Sequence, residues 1–139
     1  MAIDPSTCVL VVDDNTTTTI HIVRKLLWQI GFVNVDDAQD GATALSRMRA
    51  KRYGLVISDW NMAPMTGYEL LCEIRGDPNL ARTPFIMVTA ESKIENVAAA
   101  NKANVSGYIL KPFDAKVLKA KIDSVFAMRA EGAPLRSGM

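Results

Sequence analysis

Residues 54–67, with the sequence GLVISDWNMAPMTG, join a short apolar run to an acid and then to the start of a helical pattern. Residues 55–58 have the composition of a buried β-strand, since they are apolar or small and follow a glycine. The carboxylate of Asp59 comes directly after them. A strand with the composition of a protein interior therefore carries a charged group to its own end, and the neighbouring segments must account for that charge.

Four other apolar runs have a similar length and alternate with segments of helical periodicity. The runs are residues 8–12, 34–38, 85–88 and 107–110, and the helical segments are residues 20–30, 40–51, 66–75, 93–104 and 114–126. Five strands that alternate with five helices predict βαβ units, and so a parallel sheet with helices on both faces. We predict that Gly31 ends the first helix, and that Thr66 and Asp114 cap the third and fifth helices.

Length and composition limit the class of protein. The 139 residues, with 49% hydrophobic side chains, fit a single domain over residues 1–139, with a core of about residues 6–129 and a flexible tail of residues 130–139. A formal net charge of +1 gives no overall attraction to nucleic acid or anionic lipid. We expect a cytoplasmic protein without membrane insertion, in which Cys8 and Cys72 are buried, reduced thiols.

Charged and polar residues end four of the predicted strands. Asp13 and Asp14 end the first strand, Asp59 the third, Thr89 the fourth and Lys111 the fifth. In open parallel sheets, functional residues gather at the carboxyl ends of the strands, beside the point where strand order reverses. If the first and third strands are neighbours, each pair of carboxylates ~5 Å apart repels by about 3 kcal/mol at an effective dielectric of ~20. Such a cluster must bind protons or a cation, and oxygen ligands favour Mg²⁺ and phosphoryl chemistry.

Four motifs at these strand ends resemble the receiver domain of two-component response regulators. They are VVDD at residues 11–14, SDWNM at 58–62, VTAE at 88–91 and GYILKPF at 107–113. The resemblance covers about residues 8–126, and Trp60, Asn61, Glu91 and Tyr108 make it strongest to single-domain chemotaxis regulators of the CheY type. It implies an α/β fold, a flavodoxin-like doubly wound (βα)5 three-layer sandwich with a five-stranded parallel sheet of order 2-1-3-4-5.

The resemblance implies that Asp59 accepts a phosphoryl group from a separate histidine kinase, with one Mg²⁺ per chain. Asp13, Asp14 and Asp59 would hold the metal together with the main-chain carbonyl of Asn61. An aspartate that forms an acyl phosphate is an established covalent strategy. The chain would thus be a signalling protein that performs only self-phosphotransfer and self-dephosphorylation, and not an enzyme that acts on other substrates.

The same resemblance assigns roles to the residues around the acceptor. Lys111 would neutralise the charge that develops on the phosphoryl oxygens, and its peptide bond to the following proline would be cis. Thr89 would donate its hydroxyl to the phosphorylated form, and Tyr108 would then turn inward. Asn61 and Glu91 occupy the positions that tune self-dephosphorylation, so we expect an acyl phosphate that lasts for seconds to minutes.

The output surface implied by the resemblance consists of the fourth helix, the fifth strand and the fifth helix. Tyr108 lies on this surface, and Lys93, Lys116 and Lys119 would make it basic. Such a surface suits an acidic segment of a target protein, for example a flagellar switch component. No segment for an output domain follows the fifth helix, so we expect a monomer that signals by protein contact, without direct nucleic-acid binding.

Other hypotheses fit parts of the pattern. A Mg²⁺-dependent phosphatase of the haloacid dehalogenase type would need a second acid two residues after Asp59, where this chain has Asn61. A flavodoxin-like flavin binder would place the flavin phosphate beside two carboxylates, which repel it. A phosphorelay intermediate or cell-cycle adaptor built on the same receiver stays open. Taken singly, the strand-end residues also fit a helix cap, a turn, a strand or a solvated surface.

Two loops depart from the family pattern. Pro64 stands one place later than the proline that usually follows Met62, and Thr66 replaces the usual Asp before Gly67. The first loop, residues 14–19, is one residue longer than in the most similar members. The path of the loop over the acceptor is therefore open, and we expect phosphorylation kinetics that differ accordingly.

Overall fold

The computed structural model describes residues 6–14, 19–90 and 93–130. The strands are β1 (Val9–Val12), β2 (Val35–Ala38), β3 (Leu55–Asp59), β4 (Phe85–Thr89) and β5 (Gly107–Leu110). The helices are α1 (Thr19–Ile30), α2 (Gly41–Ala50), α3 (Gly67–Gly76), α4 (Ile94–Lys102) and α5 (Ala115–Ala130). The predicted alternation of strands and helices is confirmed. No helix in the described ranges is long and apolar enough to cross a membrane.

All five strands form one parallel sheet with the order β2-β1-β3-β4-β5. β1 pairs with both β2 and β3, so strand order reverses between the second and third strands. β3 then pairs with β4, and β4 with β5. The flavodoxin-like order that the resemblance implies is confirmed. The reversal places a crevice at the carboxyl ends of β1 and β3.

The sheet separates two apolar layers, because successive side chains of a strand point to opposite faces. Leu10 and Val12 of β1 are buried on the face covered by α2, α3 and α4. Val9 and Val11 are buried on the opposite face, which α1 and α5 cover. Both faces of the sheet are therefore occupied by packing, and polar function is confined to the strand ends.

Local caps fix the ends of the helices near the site. The Thr66 hydroxyl accepts a hydrogen bond from Glu69 N, and the Glu69 carboxylate accepts one from Thr66 N, which completes a capping box. Asp114 Oδ1 accepts a 2.9 Å hydrogen bond from Val117 N at the start of α5. Gly31 follows α1 with a φ of +120°, a conformation that favours glycine. The three predicted caps are confirmed.

Strands β3 and β4 extend further toward the site than the apolar pattern predicts. The prediction ended them at residues 58 and 88, whereas the structure includes Asp59 in β3 and Thr89 in β4. Backbone pairing continues there although the side chains have become polar. Helix α5 continues to Ala130, where the tail was predicted to begin, and residues 131–139 lie outside the described ranges.

Both cysteines are free, as predicted, but the prediction that both are buried is wrong. Cys8 is half-buried just before β1, and Cys72 is exposed on α3. The buried face of α3 consists of Leu70, Leu71 and Ile74. Cys72 comes one position after Leu71, and the helical rotation turns it away from that face.

Candidate functional site

Four of the predicted site residues meet at one edge of the sheet. Asp13 and Asp59 lie at the neighbouring ends of β1 and β3. Thr89 ends β4, and the backbone N–H of Lys111 donates a 2.9 Å hydrogen bond to the Thr89 carbonyl. Asp13, Asp59 and Thr89 are almost completely buried, with relative exposures of 2%, 8% and 0%. The Lys111–Pro112 peptide bond is cis, as the resemblance implies.

The alternation of side chains assigns these residues to different faces of the sheet. The residues two positions before Asp59 and Lys111 pack on the α1–α5 face, so Asp59 and Lys111 begin on that face. Met87 packs on the opposite face, and Thr89, two residues later, points to the same side as Met87. The acids with their lysine and the Thr89 hydroxyl thus approach the strand ends from opposite sides.

The ammonium group of Lys111 lies between two buried carboxylates. Its Nζ is 3.1 Å from Asp59 Oδ1 and 3.9 Å from Asp13 Oδ2. The Lys111 side chain is 28% exposed, so the group opens to solvent on the side of the lysine. One cation faces two buried acids, and this part of the site therefore carries a surplus of negative charge.

The burial of Asp59 changes its titration. Burial raises the pKa of Asp59 above its ordinary value, the Lys111 ammonium opposes this rise, and the Asp14 carboxylate adds to it. Asp14 is exposed, unlike Asp13. The protein's own groups therefore compensate the ionised form of Asp59 incompletely, and a further cation at the site would favour ionisation.

The oxygen donors at this edge fit a small divalent cation. Asp59 Oδ1 is buried and, in the part of the chain that the structure describes, accepts no well-aligned hydrogen bond despite its contact with Lys111. Among the described residues, no group of three or more His, Cys, Asp or Glu side chains has the spacing of a metal site. Mg²⁺ often binds through one or two carboxylates and completes its octahedron with water and phosphate oxygens. The donors thus fit Mg²⁺ in an open site rather than in a closed cage.

The loop after Asp59 lies close to the strand end. The Gly67 N–H donates a 2.9 Å hydrogen bond to the Trp60 carbonyl. A Cβ atom at Gly67 would collide with the Asp59 carbonyl oxygen and lie 2.9 Å from Trp60 Cα, so only glycine allows this approach. The Ala63–Pro64 peptide bond is cis. The loop with the displaced proline therefore still anchors the start of α3 to the end of β3.

Comparison with known proteins identifies the family. Residues 9–123 match the response regulator receiver domain. This chain belongs to the receiver domain family. The chemotaxis protein CheY of Pseudomonas aeruginosa PAO1 is 43% identical to this receiver over 118 residues, which cover 85% of this chain and 94% of that protein. The chemotaxis protein CheY-3 of Vibrio cholerae is 45% identical over 118 residues, which cover 85% and 90%.

Solved structures support the same conclusion. The Vibrio cholerae chemotaxis protein CheY4 superimposes on this receiver with a TM-score of 0.80 and 31% sequence identity. The superposition covers 86% of this chain and 98% of that protein. The receiver family and these relatives consist of signalling proteins rather than enzymes in the ordinary sense.

An aromatic cluster adjoins the acceptor strand of this receiver. Tyr108 is half-buried on β5 and packs, like Trp60, against the α2–α3–α4 layer. The Trp60 ring meets Tyr108 edge-to-face, with centroids 6.4 Å apart and an interplanar angle of 65°. It also stacks on Tyr68, at 5.5 Å and 17°. Sequence reasoning missed Tyr68, because one aromatic residue in the first turn of a helix gives no periodic signal.

The predicted output surface of the receiver is basic and partly apolar. Lys93, Lys116 and Lys119 are exposed at the start of α4 and on α5. Lys119 donates to Asp123 at 2.7 Å, one turn along α5, which offsets part of its charge. Exposed apolar side chains lie on the same three elements; they are Ile94, Leu110 and Val117.

Two predicted features lie outside the described residues. They are Glu91 and residues 15–18 of the first loop. Asn61 is exposed directly after Trp60. The tuning roles of Asn61 and Glu91, and the kinetic effect of the longer loop, stay predictions.

Proposed function

We propose that this receiver is a phosphorylation-activated switch that accepts a phosphoryl group from a histidine kinase on Asp59. The observation that carries the proposal is the 3.1 Å contact between Lys111 Nζ and Asp59 Oδ1, beside the second buried carboxylate of Asp13. A purely structural ion pair would need one acid, and a second buried acid would only add repulsion. A nucleophile with a shifted pKa beside a cation is typical of a reactive site.

The proposed reaction is an in-line transfer between two nucleophiles. A carboxylate oxygen of Asp59 forms the new P–O bond while the P–N bond of a phosphohistidine breaks, and the imidazole nitrogen keeps the electron pair. Lys111 faces the phosphoryl oxygens and stabilises their negative charge in the transition state. Asp13, Asp14, Asp59 and the Asn61 carbonyl would hold one Mg²⁺, which when bound neutralises charge on those oxygens.

The product would be detected from the other face of the sheet. Phosphorylation adds about −1.5 to −2 charges and three acceptor oxygens at Asp59. The buried Thr89 hydroxyl would move toward these oxygens and leave space near β5. Tyr108, which is half-buried, would then turn inward and reshape the α4–β5–α5 surface. The side chains of that surface, rather than its backbone, would carry the signal.

The proposed partner is an acidic, partly apolar segment of a chemotaxis target such as a flagellar switch component. The lysines and exposed apolar residues of the output surface support this choice by complementarity. The names of the curated relatives, which are chemotaxis proteins, support the pathway. We also propose that the chain acts as a single cytoplasmic domain and monomer. A phosphorelay intermediate or cell-cycle adaptor is the alternative output of the same chemistry.

The decisive experiment measures phosphorylation with a small donor. Purified protein is incubated with Mg²⁺ and acetyl phosphate, and the products are separated on phosphate-affinity gels. We expect a phosphoprotein in the wild type and in the control Asp123→Asn, which alters a half-buried acid on α5, but none in Asp59→Asn. In a Trp28→Phe background, Trp60 fluorescence should change with Mg²⁺ and change again with the donor. A phosphoprotein formed by Asp59→Asn contradicts the proposal.

Target and lifetime need separate measurements. Pull-downs should retain a flagellar switch protein better on the phosphorylated receiver than on the unmodified one; equal retention contradicts this target. The acyl phosphate should decay within seconds to minutes after the donor is removed. Persistence for many hours in the presence of Mg²⁺ contradicts the tuning roles assigned to Asn61 and Glu91.

A further inference from the structure

The backbone of Trp60 is fixed next to the acceptor. Trp60 follows Asp59, and its N–H donates a 3.0 Å hydrogen bond to the Val88 carbonyl. Its own carbonyl accepts hydrogen bonds from Met62 N at 3.1 Å and Gly67 N at 2.9 Å. With the main chain held on both sides, the orientation of the Trp60 ring depends on the side chains that it contacts.

The ring of Tyr68 stacks against the Trp60 ring. Tyr68 lies in the first turn of α3, directly after Gly67 and inside the capping box that starts the helix. Interaction with Cys72, one turn later on α3, raises the pKa of the Tyr68 hydroxyl. The stacking distance of 5.5 Å to Trp60 falls in the favourable range for aromatic pairs.

The same Trp60 ring contacts the residue proposed to move. Its ring lies 6.4 Å from that of Tyr108, edge-to-face. Tyr108 pairs in register with Met87 of β4, and Thr89 points to the same face two residues later. Any movement that passes from Thr89 to Tyr108 must therefore shift Tyr108 against a Trp60 ring that Tyr68 supports.

We propose that Tyr68 is a positioning residue of the switch. It holds the Trp60 ring against Tyr108, and thereby couples the phosphorylated strand end to the position of Tyr108. The inference rests on the proposed function, since it concerns the same phosphorylation of Asp59. The aromatic ring of Tyr68 carries the role, because the ring, and not the hydroxyl, forms the contact with Trp60.

The test observes Tyr108 directly by fluorine NMR on the full chain labelled with fluorotyrosine. Tyr68→Leu removes the ring, and Tyr68→Phe keeps the ring without the hydroxyl. The chain has three tyrosines, so both variants contain only Tyr53 and Tyr108. Tyr53 is buried beside Asp36, far from the acceptor end of the sheet, and its signal reports an intact fold. Spectra are recorded before and after incubation with Mg²⁺ and acetyl phosphate.

The phosphorylated fraction is measured in the same samples on phosphate-affinity gels, and the shifts are compared at equal fractions. We expect Tyr68→Phe to keep the phosphorylation-dependent shift of Tyr108, and Tyr68→Leu to lose roughly half of it or more, because one aromatic pair changes a two-state population about two- to tenfold. A full shift in Tyr68→Leu overturns the inference. An equal loss in Tyr68→Phe also overturns it, since the hydroxyl of Tyr68, and not its ring, would then carry the role. A wild-type protein that is not phosphorylated contradicts the proposed function itself.

Discussion

The charged groups at the two ends of the sheet differ in how well their surroundings compensate them. At the carboxyl end, burial raises the pKa of Asp59, and one lysine faces both Asp59 and Asp13. Toward the amino end, the Asp36 carboxylate accepts hydrogen bonds from the Tyr53 hydroxyl and the Lys51 ammonium. These hydrogen bonds, that of Tyr53 first, hold the pKa of Asp36 below its ordinary value.

A second group near the amino end is equally well supplied with partners. The Arg75 guanidinium donates to the Asn104 carbonyl at 2.9 Å and to the Thr83 and Ala81 carbonyls at 2.6 and 3.1 Å. It also reaches the Ser106 hydroxyl at 3.3 Å. A charged group with several matched partners, such as Asp36 or Arg75, therefore serves stability. A buried acid that its surroundings compensate incompletely is a sign of chemistry.

The largest effect is expected from Lys111→Met at the carboxyl end. It removes the cation that faces the phosphoryl oxygens, and loss of one such group slows a reaction on the order of 100-fold or more. Initial rates of phosphorylation by acetyl phosphate, measured on phosphate-affinity gels, check this. Lys119→Met, which removes an exposed lysine on α5, is the matched control and should leave the rate unchanged. An unchanged rate in Lys111→Met would show that the lysine at the carboxyl end of the sheet does not serve the chemistry.

Near the amino end, Arg75→Met should affect stability rather than chemistry. It leaves three carbonyls and a hydroxyl without their charged donor, which lowers the free energy of unfolding by about 2–3 kcal/mol. Urea denaturation followed by circular dichroism measures the loss. The control is Arg49→Met, which removes an exposed arginine on α2 with a 3.6 Å contact to Asp77. If Arg75→Met is as stable as this control, the Arg75 network is not structural.

A smaller loss is expected from Tyr53→Phe. The change removes one hydrogen bond to a carboxylate and lowers the free energy of unfolding by about 1.5 kcal/mol. Burial, followed by the hydrogen bond to Asp36, raises the pKa of Tyr53 from 10.0 to about 12. The contribution of Tyr53 is therefore complete below pH 10 and is lost as the pH rises to about 12. Unfolding curves of wild type and variant should converge in that window; a constant difference contradicts the assignment.

The smallest expected effects are changes in Tm, which have opposite signs at the two ends of the sheet. Because the pKa of Asp59 is raised, ionised Asp59 destabilises the fold, and Asp59→Asn should raise Tm slightly at neutral pH in the absence of Mg²⁺. The gain should shrink as the pH falls and wild-type Asp59 becomes protonated. The pKa of Asp36 is lowered, so Asp36 stabilises above its ordinary pKa, and Asp36→Asn should lower Tm at neutral pH. Calorimetric scans that show the same sign for both variants would refute the contrast.

The sequence predicted those parts of the molecule that follow from repetition. Alternating apolar runs predict the sheet, and the acids at the ends of β1 and β3 predict where charge collects, because parallel strands end at a common edge. The different burial of Asp13 and Asp14 was not predictable, since it depends on where the chain leaves the strand. The exposure of Cys72 follows from the apolar face of α3 and could have been predicted. The contact of Tyr68 with Trp60 depends on how α3 packs against the loop after β3, which no local pattern encodes.

At the carboxyl edge of the sheet, Thr89 approaches the acids and Lys111 from the opposite face. One consequence is evolutionary. The acids and Lys111 can stay constant while substitutions on α4 and β5 adapt the phosphorylated receiver to a new target protein. Exchanging residues of α4 and β5 between receivers should therefore change which target protein binds and leave the phosphorylation rate almost unchanged.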